Sequence, residues 1–416
     1  MATVKPFTAL MPISELASRV ASPPYDVVNG EEAAAIARQN PYSFIRVTRS
    51  EVDCPNADPY DDVVYERARK NLDWFMHKSL NVELSPCVYI YQQIMNNRAQ
   101  TGLVALTSTD EYLKGIIKRH ELTRFDKEND RVKHITAVGA NTGPIFLFYR
   151  HGENAAIRQM LNAWTQEHAP LFEFSAPSGL GSNDIATIRH KGWKIDAQSL
   201  IRAISGEFRR VSTLYIADGH HRQEAAAKAA LEMRKANDDP EASFNFTLSV
   251  IFPDDELLIM DYNRVIKDLN GLSPQEYLSA VANEFSVTQT DGEARPVKQK
   301  QFGMYVAGQW YSLSYKKSIA ADPIKSLDVS ILQDALLEPV LGIKDPRSDH
   351  RIEFVGGGRG LETLKDKADE TGGVAFALFP TNISELISVA DAGKIMPPKS
   401  TWFEPKPLDG LFVHRF

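Results

Sequence analysis

A chain of 416 residues exceeds what one hydrophobic core usually supports, which predicts two intimately packed domains. Its hydrophobic fraction of 43% and charged fraction of 24% are those of ordinary globular proteins and exclude long disorder and fibrous repeats. A formal net charge of -7 argues against a general attraction to nucleic acid or anionic membrane, and Cys54 and Cys87 alone make neither a disulfide framework nor a paired-thiol zinc site. A reducing cytoplasm fits these features. The start, Met1 to Lys5 and then Pro6 and Pro12, has no apolar core of the secretory kind. Apolar runs such as Thr247 to Phe252 and Val374 to Phe379 are strand-length, far below the ~20 residues of a membrane span.

In chain order, Ser22, Pro23, Pro24, Tyr25 and Asp26 form a turn whose prolines fix the backbone and suit it to lining a site. The alanine-rich stretch Gly30 to Arg38 predicts a helix, and Val63 to Leu80 a second, with Tyr65, Ala68, Leu72 and Phe75 at helical spacing. Cys87 to Gln92 and Gln100 to Thr107 are rich in strand formers and flank Asn96 and Asn97, which predicts a hairpin. Gly115 to Tyr149 reads as a charged loop entering a buried strand, Ile145 to Tyr149. Lys194 to Phe208 reads as a helix, Thr213 to Ala217 as a short strand, and His221 to Lys235 as a strong helix. Asn245 to Phe252 and Leu257 to Met260 suggest a hairpin around Pro253, before a helix over Ser273 to Phe285. Then come strands at Gln301 to Val306 and Gln309 to Tyr315, a helix around Val329 to Leu337, a turn at Gly356 to Gly358 and a final strand pair near Val374 to Phe379. Met396 to Lys406 is too rich in proline for a helix and is expected to cross the surface or cap a site. The pattern is an α+β fold of mixed sheets with helices, divided into an N-terminal α/β part (1–110), a candidate catalytic core (111–270) and a C-terminal α/β part (271–416).

Two stretches carry chemistry. The first, Asp218, Gly219, His220, His221 and Arg222, sits on a strand-to-helix turn. Glycine lets the backbone approach a ligand, and the helix N-terminus offers unpaired N–H groups and the positive end of its dipole. His220, His221 and Arg222 add donors for phosphate oxygens, and Asp218 is placed to accept a hydroxyl proton or to hold magnesium. The same residues also read as an Asp cap ahead of two packed histidines. The second stretch holds Lys118, Arg119, His120, Glu121 and Thr123, then Asp130, Arg131 and His134. Glu121 and Asp130 suit positioning a nucleophile or metal, while Lys118, Arg119 and Arg131 suit neutralising phosphate charge. A solvated charged helix or loop has the same composition. No H-E-x-x-H pattern, Walker loop, G-x-S-x-G elbow or Cys-His nucleophile pattern occurs. Pro397 to Thr401 offers a lysine and hydroxyls on a stretch equally suited to a rigid surface crossing.

Ser22 to Val27 (S-P-P-Y-D-V), Lys118 to Thr123 (K-R-H-E-L-T), Ile216 to Arg222 (I-A-D-G-H-H-R) and Met396 to Lys406 (M-P-P-K-S-T-W-F-E-P-K) resemble, in this order, a prokaryotic family called domain of unknown function 1015. The D-G-H-H-R element is similar to the signature of the ParB/sulfiredoxin superfamily, which binds nucleotide phosphates with that turn and includes kinases of free L-serine. The resemblance implies a ParB/sulfiredoxin-like nucleotide-binding core with additional α/β elements. It makes Asp218 the group that orients or deprotonates an acceptor hydroxyl, with His220, His221 and Arg222 on the nucleotide phosphates and Gly219 permitting the close approach. A charged and polar setting, more than any motif match, makes Glu121 the second catalytic carboxylate with His220 beside the reacting groups, assigns Lys118, Arg119 and Arg131 to the phosphates, and gives Tyr25, Asp26, His120 and Thr123 to the acceptor. Magnesium on Asp218 would accompany ATP or ADP. No cysteine lies near the turn, which disfavours sulfinic-acid reduction, and no basic helix-turn-helix is evident, which disfavours DNA partitioning. The expected activity is phosphorylation of a small hydroxylated metabolite, most concretely L-serine, by a cytoplasmic enzyme with a homodimer allowed. A nucleotide-responsive binding module and a metal-dependent phosphodiesterase are the alternatives.

Overall fold

The computed structural model describes residues 1–177, 187–318 and 321–416. Nine strands join in one mixed sheet: β1 (Val4–Lys5), β2 (Val88–Met95), β3 (Arg98–Ser108), β4 (Ile117–Lys118), β5 (Ile145–Tyr149), β6 (Phe172–Pro177), β7 (Thr187–Ile195), β8 (Leu214–Asp218) and β9 (Phe246–Pro253). The strand order is β4-β8-β5-β9-β3-β2-β7-β6, with β1 on β3. Neighbours are antiparallel except β4–β8 and β5–β9. β2 and β3 are the predicted hairpin, turned by Asn96 and Asn97 at φ 50° and 63°, a left-handed conformation that asparagine tolerates. A second sheet of six strands holds β10 (Tyr262–Ile266), β11 (Phe285–Gln289), β12 (Gln301–Val306), β13 (Gln309–Tyr315), β14 (Ile352–Gly356) and β15 (Val374–Leu378), in the order β11-β13-β12-β15-β10-β14.

Alternation along the strands decides which residues meet. Phe146, Phe148 and Phe252 of the first sheet share one buried cluster with Phe302, Met304 and Phe376 of the second. The intervening Leu147 and Ile216 belong instead to a cluster with Ile157, Leu161, Ile204 and Phe208 of flanking helices. On the second sheet, Val265, Tyr305 and Ala375 bury against Leu361 and Leu364. The helices that matter below are α1 (Gly30–Gln39), α2 (Asp62–Lys78), α3 (Phe125–Val138), α4 (Ala155–Glu167), α5 (Gln198–Phe208), α6 (His220–Met233), α7 (Pro274–Glu284), α8 (Gly360–Thr371) and α9 (Ile383–Asp391). Among the described residues no helix is long and apolar enough to cross a membrane.

Several expectations are corrected. The middle of the charged loop is helix α3, because Glu128, Asp130, His134, Ile135 and Val138 are buried at helical spacing. Lys194 opens no helix: it lies within strand β7, which ends at Ile195, and α5 begins at Gln198. Leu258–Met260 does not pair with β9, since a helical turn at Asp254–Glu256 carries the chain away and Trp402–Glu404 becomes its partner. The expected final strand pair is instead one central strand, β15, between β12 and β10. The first sheet takes its strands from Val4–Pro253 and the second from Tyr262–Leu378. The C-terminal residues return to the first sheet's side, where His414–Arg415 pairs with Ala140–Asn141.

Candidate active site

Strand β8 ends at Asp218, and Gly219 turns the chain into α6 at φ 94°. Only glycine suits this position twice over, because a Cβ here would also stand 3.3 Å from the Arg222 guanidinium. Gly219 provides no side-chain cap to this helix of 14 residues, and Gly219, His220 and His221 line the neighbouring cavity. The Asp218 carboxylate is held at both oxygens: Lys406 Nζ donates to Oδ1 at 2.8 Å and Arg222 Nη2 to Oδ2 at 2.9 Å. Burial alone would push this carboxyl up, but the Lys406 ammonium and the Arg222 guanidinium outweigh it and hold it well below the usual carboxylate range.

A cavity of about 760 Å³ opens in front of this turn. Its walls come from the Tyr25–Val28 turn, α2, the segment around Glu121, α3, the β8–α6 turn, β10, β14 and the stretch Met396–Lys406. Glu121 lies on the same cavity as Asp218, half-buried and without a hydrogen bond or ion pair among the described residues. Burial pushes its carboxyl up; Lys399 offsets this in part and Asp218 adds to it. The two carboxylates therefore stand in one cavity with opposite character. Lys399 and Lys406 arrive from the C-terminal stretch, which is pinned from behind by Gln93 Nε2 on the Lys406 carbonyl at 2.8 Å and Gln100 Nε2 on the Pro405 carbonyl at 2.9 Å.

Residues 4–330 match a family described as protein of unknown function, DUF1015. The chain belongs to that family. None of the curated proteins matches it. Among solved structures, it is similar to a free serine kinase in complex with AMP at 13% identity, covering 72% of this chain and 86% of that one with a TM-score of 0.35. A conserved hypothetical protein from Pyrococcus furiosus is similar at 14% identity, with 75% and 95% coverage and a TM-score of 0.35. SbnI from Staphylococcus aureus, truncated at its C-terminus, is similar at 10% identity, with 75% and 87% coverage and a TM-score of 0.37.

In this DUF1015 chain the residues singled out in the sequence separate by where their side chains stand. Tyr25, Asp26, Glu121, Arg131, Asp218, Gly219, His220 and His221 line the cavity. Arg131 is nonetheless engaged, through Asp130 at 2.8 Å, the Thr48 carbonyl at 3.1 Å and the Tyr25 ring beneath it at 4.1 Å. Arg222 stands behind the turn, bonded to Asp218 and to the Pro144 carbonyl at 2.7 Å, so it braces Asp218 and has little left for a phosphate. Lys118 and Arg119 leave the cavity altogether: Lys118 pairs with Asp391 of α9 at 2.8 Å and Arg119 with Glu224 of α6 at 3.4 Å. Thr123 Oγ1 donates to the Glu128 carboxylate, and His120 is buried against His220 with ring centroids 4.5 Å apart, its Nε2 3.1 Å from Thr401 Oγ1.

Burial holds His120 down to about pKa 4 and His220 well below the usual histidine range, so both rings are neutral at pH 7. His221 accepts the backbone N–H of Arg124 on Nε2 at 3.0 Å, which puts its own proton on Nδ1. Magnesium on Asp218 does not fit the arrangement, since both oxygens carry cations and, among the described residues, no three His, Cys, Asp or Glu side chains converge as ligands. The residues that the sequence reading undervalued are Lys399 and Lys406. Their signal was present in the proline-rich stretch, whose role as cavity wall depends on contacts with β2, β3 and β10 some hundreds of residues away.

Proposed function

We propose that the cavity binds a nucleotide and transfers a phosphoryl group to the hydroxyl of a small metabolite, with free L-serine as the acceptor that the sequence resemblance implies. The observation that carries this reading is the pair of carboxylates with opposed character, Glu121 pushed up by burial and Asp218 held down by Lys406 and Arg222. Two titratable groups whose environments drive them apart are the usual mark of divided acid–base roles. Glu121 is the group able to take the acceptor's hydroxyl proton, while Asp218 stays ionised and is a poor base. The proton passes to Glu121 as the acceptor oxygen bonds to phosphorus and the bond to the leaving phosphate oxygen breaks. Backbone N–H groups at the start of α6 and the Lys399 ammonium offset the charge on the transferring group, a task of positioning and electrostatics.

The test is phosphoserine formation, followed by mass spectrometry, with magnesium, L-serine and either ATP or ADP, on the wild type and on Glu121→Gln. Product from the wild type and a loss of about 10²–10⁴-fold in the variant is the expected result. Full activity of Glu121→Gln would remove the role of base from Glu121. Nucleotide-dependent thermal stabilisation without product from any hydroxylated acceptor would favour a binding module instead.

A further inference from the structure

Lys399 lies beyond the residues matched to the family and combines three features. Its backbone sits at φ 55°, in the left-handed region that a residue with a Cβ seldom adopts and that clusters at functional sites. That conformation is held by Arg264 of β10, only 3% exposed, whose Nη2 donates to the Lys399 carbonyl at 3.0 Å and to the Pro398 carbonyl at 3.5 Å. Arg264 has no carboxylate partner among the described residues, and burial holds its guanidinium down to about pKa 10. Its other neighbours are the Tyr262 carbonyl and the Phe354 ring, 5.4 Å away, and a buried arginine spent on backbone carbonyls and a ring is costly unless the segment it fixes matters. Finally, the Lys399 side chain is exposed on the cavity wall, with its ammonium 5.8 Å over the ring of Tyr262, its hydrogen-bonding neighbour, and with no ion pair among the described residues; the carboxylates that act on it are Glu121 and Asp26. An ammonium on a cavity wall without a salt-bridge partner is able to take an anionic ligand group.

We infer that Lys399 is an oxyanion-binding residue of the cavity and that Arg264 is its positioning residue. The ligand group is a carboxylate or a phosphoryl oxygen, chemistry that an α-amino-acid acceptor and a nucleotide both present. The inference deepens the proposed function and rests on it for the choice of probes.

Calorimetric titration of the full chain with L-serine, ADP and inorganic phosphate, each alone, separates the sources. Lys399→Gln should lose roughly tenfold to a hundredfold in affinity for L-serine alone if the acceptor carboxylate is held, or for ADP and phosphate if a phosphoryl oxygen is held. Lys399→Arg should restore part of the loss. Arg264→Met should weaken the same probe and spare the others, which a merely structural role would not do. Unchanged affinity for all three probes in Lys399→Gln, or a wild type that binds none of them, would overturn the inference. An equal loss of every probe in Arg264→Met would remove the positioning role. Absence of phosphoserine with the binding pattern intact would sink the kinase reading and leave the oxyanion site standing.

Discussion

The polar groups around the cavity fall into two sets treated in opposite ways. Asp218, Lys406, Arg222, Asp130 and Arg131 are paired, each at hydrogen-bond distance from a partner. Glu121, Asp26 and Lys399 form no ion pair among the described residues. Paired buried charges fix geometry, and removing one partner leaves the other uncompensated. Unpaired groups contribute nothing to the fold and retain their capacity for a ligand, which is the usual compromise between stability and function. The difference teaches that the most recognisable motif need not carry the unpaired groups: Asp218 and Arg222 of the turn are engaged with each other and with Lys406, while Glu121, Asp26 and Lys399 on the same cavity form no ion pair among the described residues.

Substitutions in the two sets should separate activity from stability. The largest effect belongs to Glu121→Gln, for which phosphotransfer should fall by the factor given above while the melting temperature stays level or rises, because a buried carboxyl pushed up by desolvation is better tolerated neutral. A fall in melting temperature would place Glu121 with the scaffold and break the contrast. Asp218→Asn should do the reverse in stability, losing about 3 kcal/mol in denaturant unfolding as Lys406 and Arg222 are left without their carboxylate. Its stability matching the wild type would mean that the pairing fixes nothing.

A pH profile of unfolding sharpens the same comparison. Asp409, buried behind Arg222, is pushed up to about pKa 7 by burial, with Arg222 opposing. The folded carboxyl then keeps its proton to about pH 7 while the unfolded one releases it near pH 4. The stability it contributes is full below about pH 4 and declines as pH rises towards 7. Asp409→Asn should flatten that decline, leaving the slope due to Asp328, likewise pushed up to about 7 by burial. An unaltered slope would show that Asp409 does not titrate there. The smallest effect is Tyr65→Phe, which removes the hydroxyl that donates to Asp130 at 2.9 Å and should cost about 1 kcal/mol by thermal unfolding, since Arg131 still holds the carboxylate.

Local patterns were legible where a single element decided them. The hairpin of β2 and β3 follows from strand formers around Asn96 and Asn97, and α7 occupies Pro274–Glu284 within the stretch expected to be helical, where the structure adds a capping box of Ser273 with Glu276. The turn at Gly219 was legible as well, because a glycine between an apolar strand and an alanine-rich helix has few other uses. Illegible were the partners. Lys118 and Arg119 look like phosphate ligands in sequence, yet Asp391 and Glu224 neutralise them, and the distance along the chain hides both pairings. Leu258–Met260 failed as a hairpin strand for the same reason, its partner being Trp402–Glu404.

The sequence by itself determined the α+β character, the family and the Gly219 turn that lines the cavity, because propensity, periodicity and glycine geometry act over a few neighbouring residues. Only the tertiary structure decided which charges are neutralised and which stay open. Lys406 reaches Asp218 across 188 residues and Lys399 is set by Arg264 across 135, and at such separations pairing is fixed by how two sheets and a returning C-terminal segment pack, where desolvation and Coulomb attraction depend on distances that no local pattern encodes.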